Sequence, residues 1–176
     1  QMCIRDRDST AIHLFFYQDN ETNIREVFIE RLLEDWSLNI PANTSQNYNN
    51  AYPEGNGTIN NEMSVLAVFP HMHLIGKNIE TYALDPIGDT IPLIKINNWD
   101  FEWQGFYHFQ NVLKIPAGSK LYSNATYDNT ASNPHNPSSP PVDVYAGEAT
   151  TDEMFITFFM YLPYETGDEN LNLEEL

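Results

Sequence analysis

Basic residues are scarce in this 176-residue chain: eight Lys and Arg stand against 25 Asp and Glu, a formal charge of -17. Nucleic-acid binding neutralises phosphates with clustered cations, and there is no basic cluster here to do it. An anionic lipid surface would repel the chain for the same reason. Cysteine is almost absent. With Cys3 alone, no intrachain disulfide can form. No apolar run approaches the roughly 20 residues of a membrane-spanning helix. Signals for amphipathic helices are nearly missing as well. No Gly-rich phosphate loop, Gly-x-Ser-x-Gly elbow or isolated pair of carboxylates in an apolar setting is present.

What is present is apolar and aromatic. A hydrophobic fraction of 41% and an aromatic fraction of 13% belong to a folded protein. The length suits one domain with one sizeable core. Residues 1-7 (QMCIRDR) open on Gln, are charged and hold no apolar stretch, so they are expected to be a cloning or assembly scar. On that expectation the natural N-terminus, with any export signal or upstream domain, is missing. Residues 8-165 are expected to form the folded domain. Residues 166-176 read as an acidic tail with few groups able to anchor a core.

Short apolar segments with turn punctuation fill the domain. Ala11–Tyr17 (AIHLFFY) reads as a buried strand, and the spacing in Ile24–Trp36 fits either helix or strand. The Asn-, Pro- and Gly-rich residues 39-57 read as a loop. Residues 63-75 look like a long strand, in which Pro70 implies an edge or a bulge. Ile79–Leu84 and Thr90–Ile96 flank a hairpin turn at residues 85-89. Alternating aromatics in residues 98-109 suggest one or two strands. Ile115–Gly118 is a turn before a strand over residues 120-127, residues 129-141 are a Pro-rich loop, and residues 154-162 are the last strand. Strand upon strand at regular spacing predicts an all-β fold, an antiparallel β-sandwich of jelly-roll type.

The most informative segment is Pro70-His71-Met72-His73. In a strand, side chains at i and i+2 share a face, about 6–7 Å apart, so two imidazoles so placed can chelate one metal. Such pairs also occur as ordinary half-buried residues. Late in the chain, Met154 shares a face with Ile156, Phe158 and Met160 if the segment is a strand. Met154 reads as a core filler or as a thioether donor. Two imidazoles with a thioether make a borderline-soft site suited to copper rather than to Mg or Ca. Asp152 and Glu153 beside it read either as groups orienting a ligand or as exposed acids. His108 reads as a core histidine and His135 as solvated.

His71-Met72-His73-Leu74-Ile75-Gly76-Lys77 and Thr151-Asp152-Glu153-Met154, with Gln104-Gly105-Phe106-Tyr107 and Ile40-Pro41-Ala42-Asn43, resemble segments of the copper type II ascorbate-dependent monooxygenases. This family includes the peptidylglycine α-hydroxylating and dopamine β-monooxygenases, and the match is to the C-terminal half of its catalytic core. The resemblance implies a jelly-roll-like sandwich, copper held by His71, His73 and Met154, and hydroxylation of a C–H bond with ascorbate as reductant. It also implies a small-molecule or peptide substrate, an upstream N-terminal copper domain as partner, and an extracellular or periplasmic location. A non-catalytic copper-binding or partner-binding sandwich is the alternative.

The departures from the family are specific. Nothing matches the half that carries three His for the second copper, and His13, His108 and His135 form no second cluster in sequence. Phe69 stands where peptide-amidating members have an Arg for the substrate carboxylate. Ile156 and Phe158 stand where those members have Asn and Tyr. A pocket so changed has no partner for a buried carboxylate, so a peptidylglycine substrate is not expected.

Overall fold

The computed structural model describes residues 11–16, Thr22 and residues 24–175. Among the described residues ten strands form in chain order: β1 Phe28–Glu34, β2 Asn39–Ile40, β3 Ser45–Tyr52, β4 Met63–His71, β5 Gly76–Leu84, β6 Thr90–Ile96, β7 Tyr107–Ile115, β8 Lys120–Asp128, β9 Val144–Tyr145 and β10 Ile156–Pro163. Two four-stranded antiparallel sheets, β1-β10-β4-β7 and β3-β8-β5-β6, face each other, and a small β2-β9 ladder stands beside them. The protein is an all-β antiparallel sandwich, as its strand spacing implies. Among the described residues, no helix is long and apolar enough to cross a membrane.

The core between the sheets falls into two apolar clusters. One gathers Leu33, Val65, Val68, Ile115, Leu121 and Phe159, the other Ile40, Met72, Ile75, Ile79, Tyr127 and Phe155. Thr81, Ser123 and Thr157 are also buried between the sheets and bond to one another, Thr81 Oγ1 lying 3.0 Å from Ser123 Oγ and 3.3 Å from Thr157 Oγ1. Mutual hydrogen bonding removes most of the cost of burying three hydroxyls.

A bulge in β4 decides which of its residues face the core. Val65 pairs with Tyr161 and Ala67 with Met160, leaving Leu66 as the extra residue. Val65 and Val68 therefore both enter the core, while Phe69 and His71 point outward. Pro70 pairs with Thr157 on β10 but lies beyond the last β4–β7 pair, Val68 with Tyr107, so no β7 acceptor needs its missing donor.

Several sequence expectations change. Ala11–Phe16 is exposed and forms no strand, with Ile12, Leu14, Phe15 and Phe16 all largely in solvent, and Tyr17 lies outside the described residues. The ambiguous segment resolves as the strand β1. Residues 45–52 (SQNYNNAY) form an edge strand paired with β8 from Leu121 to Asp128 rather than a loop. Edge strands leave alternate residues in water, so polar side chains are tolerated there, and neighbours rather than intrinsic preference make the strand. The aromatic stretch before β7 is a turn-rich loop through Phe106, not a strand.

The acidic C-terminal stretch is anchored by a charge. Asp168 is buried at 6% exposure and accepts hydrogen bonds from Arg25 at 2.7 and 2.9 Å, from Ser64 Oγ at 2.5 Å and from the Glu165 N–H. Leu173 N–H continues the contact by donating to Gln110 of β7. The Arg25 hydrogen bond, helped by Ser64 and opposed by burial, holds the Asp168 carboxyl well below the usual carboxylate range. A depressed folded value contributes stability above the unfolded value, near pH 4, and loses it as pH falls. Asp168→Ala is expected to cost about 1–3 kcal/mol at pH 7, and its deficit against the parent to shrink from about pH 5 to pH 2. Urea melts across that range measure it; a deficit independent of pH would contradict the ion pair's role.

Candidate metal centre

His71 is the last residue of β4, and His73 lies just past the strand end, where the chain turns toward β5. Their rings sit 5.1 Å apart, nearly perpendicular. The strand periodicity invoked for the pair covers only His71, and the turn brings the second ring in. His71 is partly buried and His73 is 4% exposed.

Hydrogen bonds fix the tautomer of both imidazoles. His73 Nδ1 lies 3.0 Å from the Asp152 carbonyl oxygen, which can only accept, so Nδ1 carries the proton. His71 Nδ1 lies 2.7 Å from Gln104 Oε1. The Gln104 amide nitrogen donates to Phe101 O at 2.6 Å, which turns its oxygen toward His71. In the neutral ring, each histidine therefore carries its proton on Nδ1 and leaves Nε2 for a metal. Burial pushes the His71 imidazole below its usual value, Gln104 opposes this, and the neighbouring His73 adds to the fall. A neutral ring with a bare Nε2 is the ligand form of histidine.

Backbone as well as ring is restrained at His73. Its N–H donates to Glu153 Oε2 at 2.8 Å, and Trp99 Nε1–H donates to its carbonyl at 3.1 Å. Phe101 stands edge-on to its ring at 6.0 Å. The loop misread as strand thus supplies Trp99, Phe101 and Gln104 around the two histidines.

Glu153 is 1% exposed and accepts backbone N–H groups from His73, Ile75 and Met154 at 2.8, 2.8 and 3.2 Å. Burial pushes its carboxyl up to about 7 against the pull of those donors. Of the two readings left open for Asp152 and Glu153, that of an exposed acid does not hold for Glu153, which is buried and holds the His73 backbone, while Asp152 offers its carbonyl to His73 Nδ1.

Met154 precedes β10 and lines an outward hollow of about 370 Å³ together with His71, Phe69, Ile156 and Phe158. Among the described residues, no three His, Cys, Asp or Glu side chains converge to hold a metal. A metal on this pair would take its third protein donor from another residue type, and the Met154 thioether opens on the same hollow as His71. Two neutral imidazoles and a thioether fit copper, above all Cu(I). His13, His108 and His135 are all exposed, so His108 is not the core histidine its neighbours suggest.

The model for the copper type II ascorbate-dependent monooxygenase C-terminal domain matches residues 32–174. A search of curated proteins finds no match.

Replacing Glu153 by Gln puts an amide N–H₂ where the backbone donors converge. The expected cost is about 1–3 kcal/mol of stability in denaturant melts. Gln104→Ala, by contrast, is expected to leave the melt nearly unchanged while lowering copper affinity about 10- to 100-fold. Equal copper affinity in Gln104→Ala and parent would contradict the orienting role.

Proposed function

The chain belongs to the family of copper type II ascorbate-dependent monooxygenase C-terminal domains, and on that footing we propose that it binds one copper ion through His71, His73 and Met154. The proposed activity is that of the oxygen-activating half of a monooxygenase that hydroxylates a C–H bond of an organic substrate. Ascorbate is the reductant and an upstream copper domain the electron-delivering partner. An extracellular or periplasmic site of action goes with this reading.

The observation that carries it is the pair of proton-locked imidazoles. With Nδ1 of each ring committed to Gln104 and Asp152, Nε2 is the nitrogen left to meet a metal on both. Fixing the two ring orientations in advance removes the need to reorient them on binding. Copper, when bound, supplies the reductive activation of O₂. The chain's own contribution is to fix the rings from behind, to present a soft thioether on the hollow that His71 lines, and to border it with apolar surface from Phe69, Ile156 and Phe158.

Copper titration of the 176-residue chain tests the assignment. One equivalent is expected to bind. His71→Ala should lose at least about 100-fold in affinity, and Met154→Ile should weaken Cu(I) more than Cu(II), since the thioether is the soft donor. Unchanged uptake in both variants would overturn the site. Copper uptake without ascorbate-dependent O₂ consumption, with the upstream domain supplied, would leave a binding module and overturn the enzymatic reading.

A further inference from the structure

The hollow beside the candidate copper ligands has a floor and a rim of different chemistry. Phe69 and Phe158 are cross-strand partners on β4 and β10, with rings stacked at 5.5 Å and 20°. Ile156, partner of His71, and Met154 extend this floor toward the centre, and Trp36 closes one side. Phe106 continues the aromatic surface, 5.3 Å from Phe69.

Among the described residues, two charges reach the hollow, both from its edge. Glu148 is exposed. Arg31 is half-exposed, lies 3.4 Å from Glu34 Oε2, and rests over the Trp36 ring at 6.0 Å. Its charge is thus already shared between a carboxylate and an aromatic face. On the floor stand only aromatic, aliphatic and thioether groups besides His71. A charged group placed there would give up water and find no counter-ion.

We propose that this hollow takes an uncharged substrate with an aryl or alkyl portion, lying over the Phe69–Phe158 pair with its reacting carbon toward His71 and Met154. The proposal rests on the copper reading above and adds the substrate class. Stacking on a fixed aromatic pair orients such a molecule without any ion pair. Phe158 and Phe69 are the specificity-determining residues, and Arg31 is a rim group that does not read the substrate.

Three matched probes separate the possibilities: 3-phenylpropan-1-ol, 3-phenylpropanoate and 3-phenylpropylamine. Binding to the full chain, copper-free and Cu(I)-loaded, is followed by the ¹³C-methyl shifts of Met154 and Ile156. The alcohol is expected to bind at least about tenfold more tightly than either charged probe. Phe158→Asn, or Phe69→Asn should the first fail to fold, is expected to weaken the alcohol about tenfold, and Arg31→Gln to leave it unchanged. Tightest binding of the carboxylate, lost in Arg31→Gln, would overturn the proposal, as would tightest binding of the amine. Copper uptake without the tenfold preference defeats this proposal alone. Failure of the parent chain to take up copper defeats the copper reading and this proposal with it.

Discussion

A single buried carboxylate holds the centre together. Glu153 reaches from the segment before β10 into the turn after β4 and accepts N–H groups from His73, Ile75 and its own neighbour Met154. An isolated buried carboxylate costs several kcal/mol, and convergent backbone donors are what make this one tolerable. The arrangement is reciprocal, because the His73 and Ile75 N–H groups belong to a turn that has no strand partner to satisfy them. Remove the carboxylate and these two buried donors are orphaned together with that of Met154. His73 shows the result: its nitrogen, its carbonyl and its ring Nδ1 are each tied to a different residue, Glu153, Trp99 and Asp152.

This also explains why neither His73 nor Met154 needs to lie in a strand. Strands deliver residues at fixed alternation, but a metal centre needs donors converging from several directions. Here β4 ends on His71 and β10 begins just after Met154, and irregular backbone at these ends brings His73 and Met154 to the candidate centre. Irregular backbone must have its polar groups satisfied, and Glu153, Trp99 and Gln104 do this with side chains.

The legible and illegible parts of the sequence divide along the same line. The sandwich could be read because alternation and turn residues are local signals, as in β5, the Asp85–Asp89 turn and β6. The His-x-His pair and Met154 could be named as candidates, since the residue types carry the chemistry. Strand periodicity was nonetheless the wrong reason for the proximity of the two histidines. The polar strand β3 could not be read, because its pairing with β8, from Tyr52 with Leu121 to Ser45 with Asp128, is remote in sequence. Nor could the loop before β7, where aromatics alternate as they would in a strand but serve to wall in His71 and His73. The segment Ala11–Phe16 has the composition of a buried strand and is exposed. Composition states what a segment could bury; only the remaining surface decides what it does bury.

The bulge at Leu66 gives the clearest case of a global consequence from one residue. Met63 and Val65 face the core, and unbroken alternation would send Ala67, Phe69 and His71 the same way. The extra residue reverses the parity, so that Val68 fills the core while Phe69 and His71 turn outward, beside Phe158 and Ile156 of β10. The apolar hollow and the first imidazole are therefore products of the same register shift. Because Val65 and Ala67 already face the adjacent residues Tyr161 and Met160, deleting Leu66 would remove the bulge and leave Val68 in the core with Phe69 and His71 outward; the extra residue is what fits this β4 sequence to both faces. The β4 sequence, with apolar residues at nearly every position, does not mark where the parity changes. Only the pairing with β10 and β7 does, because both neighbours skip Leu66.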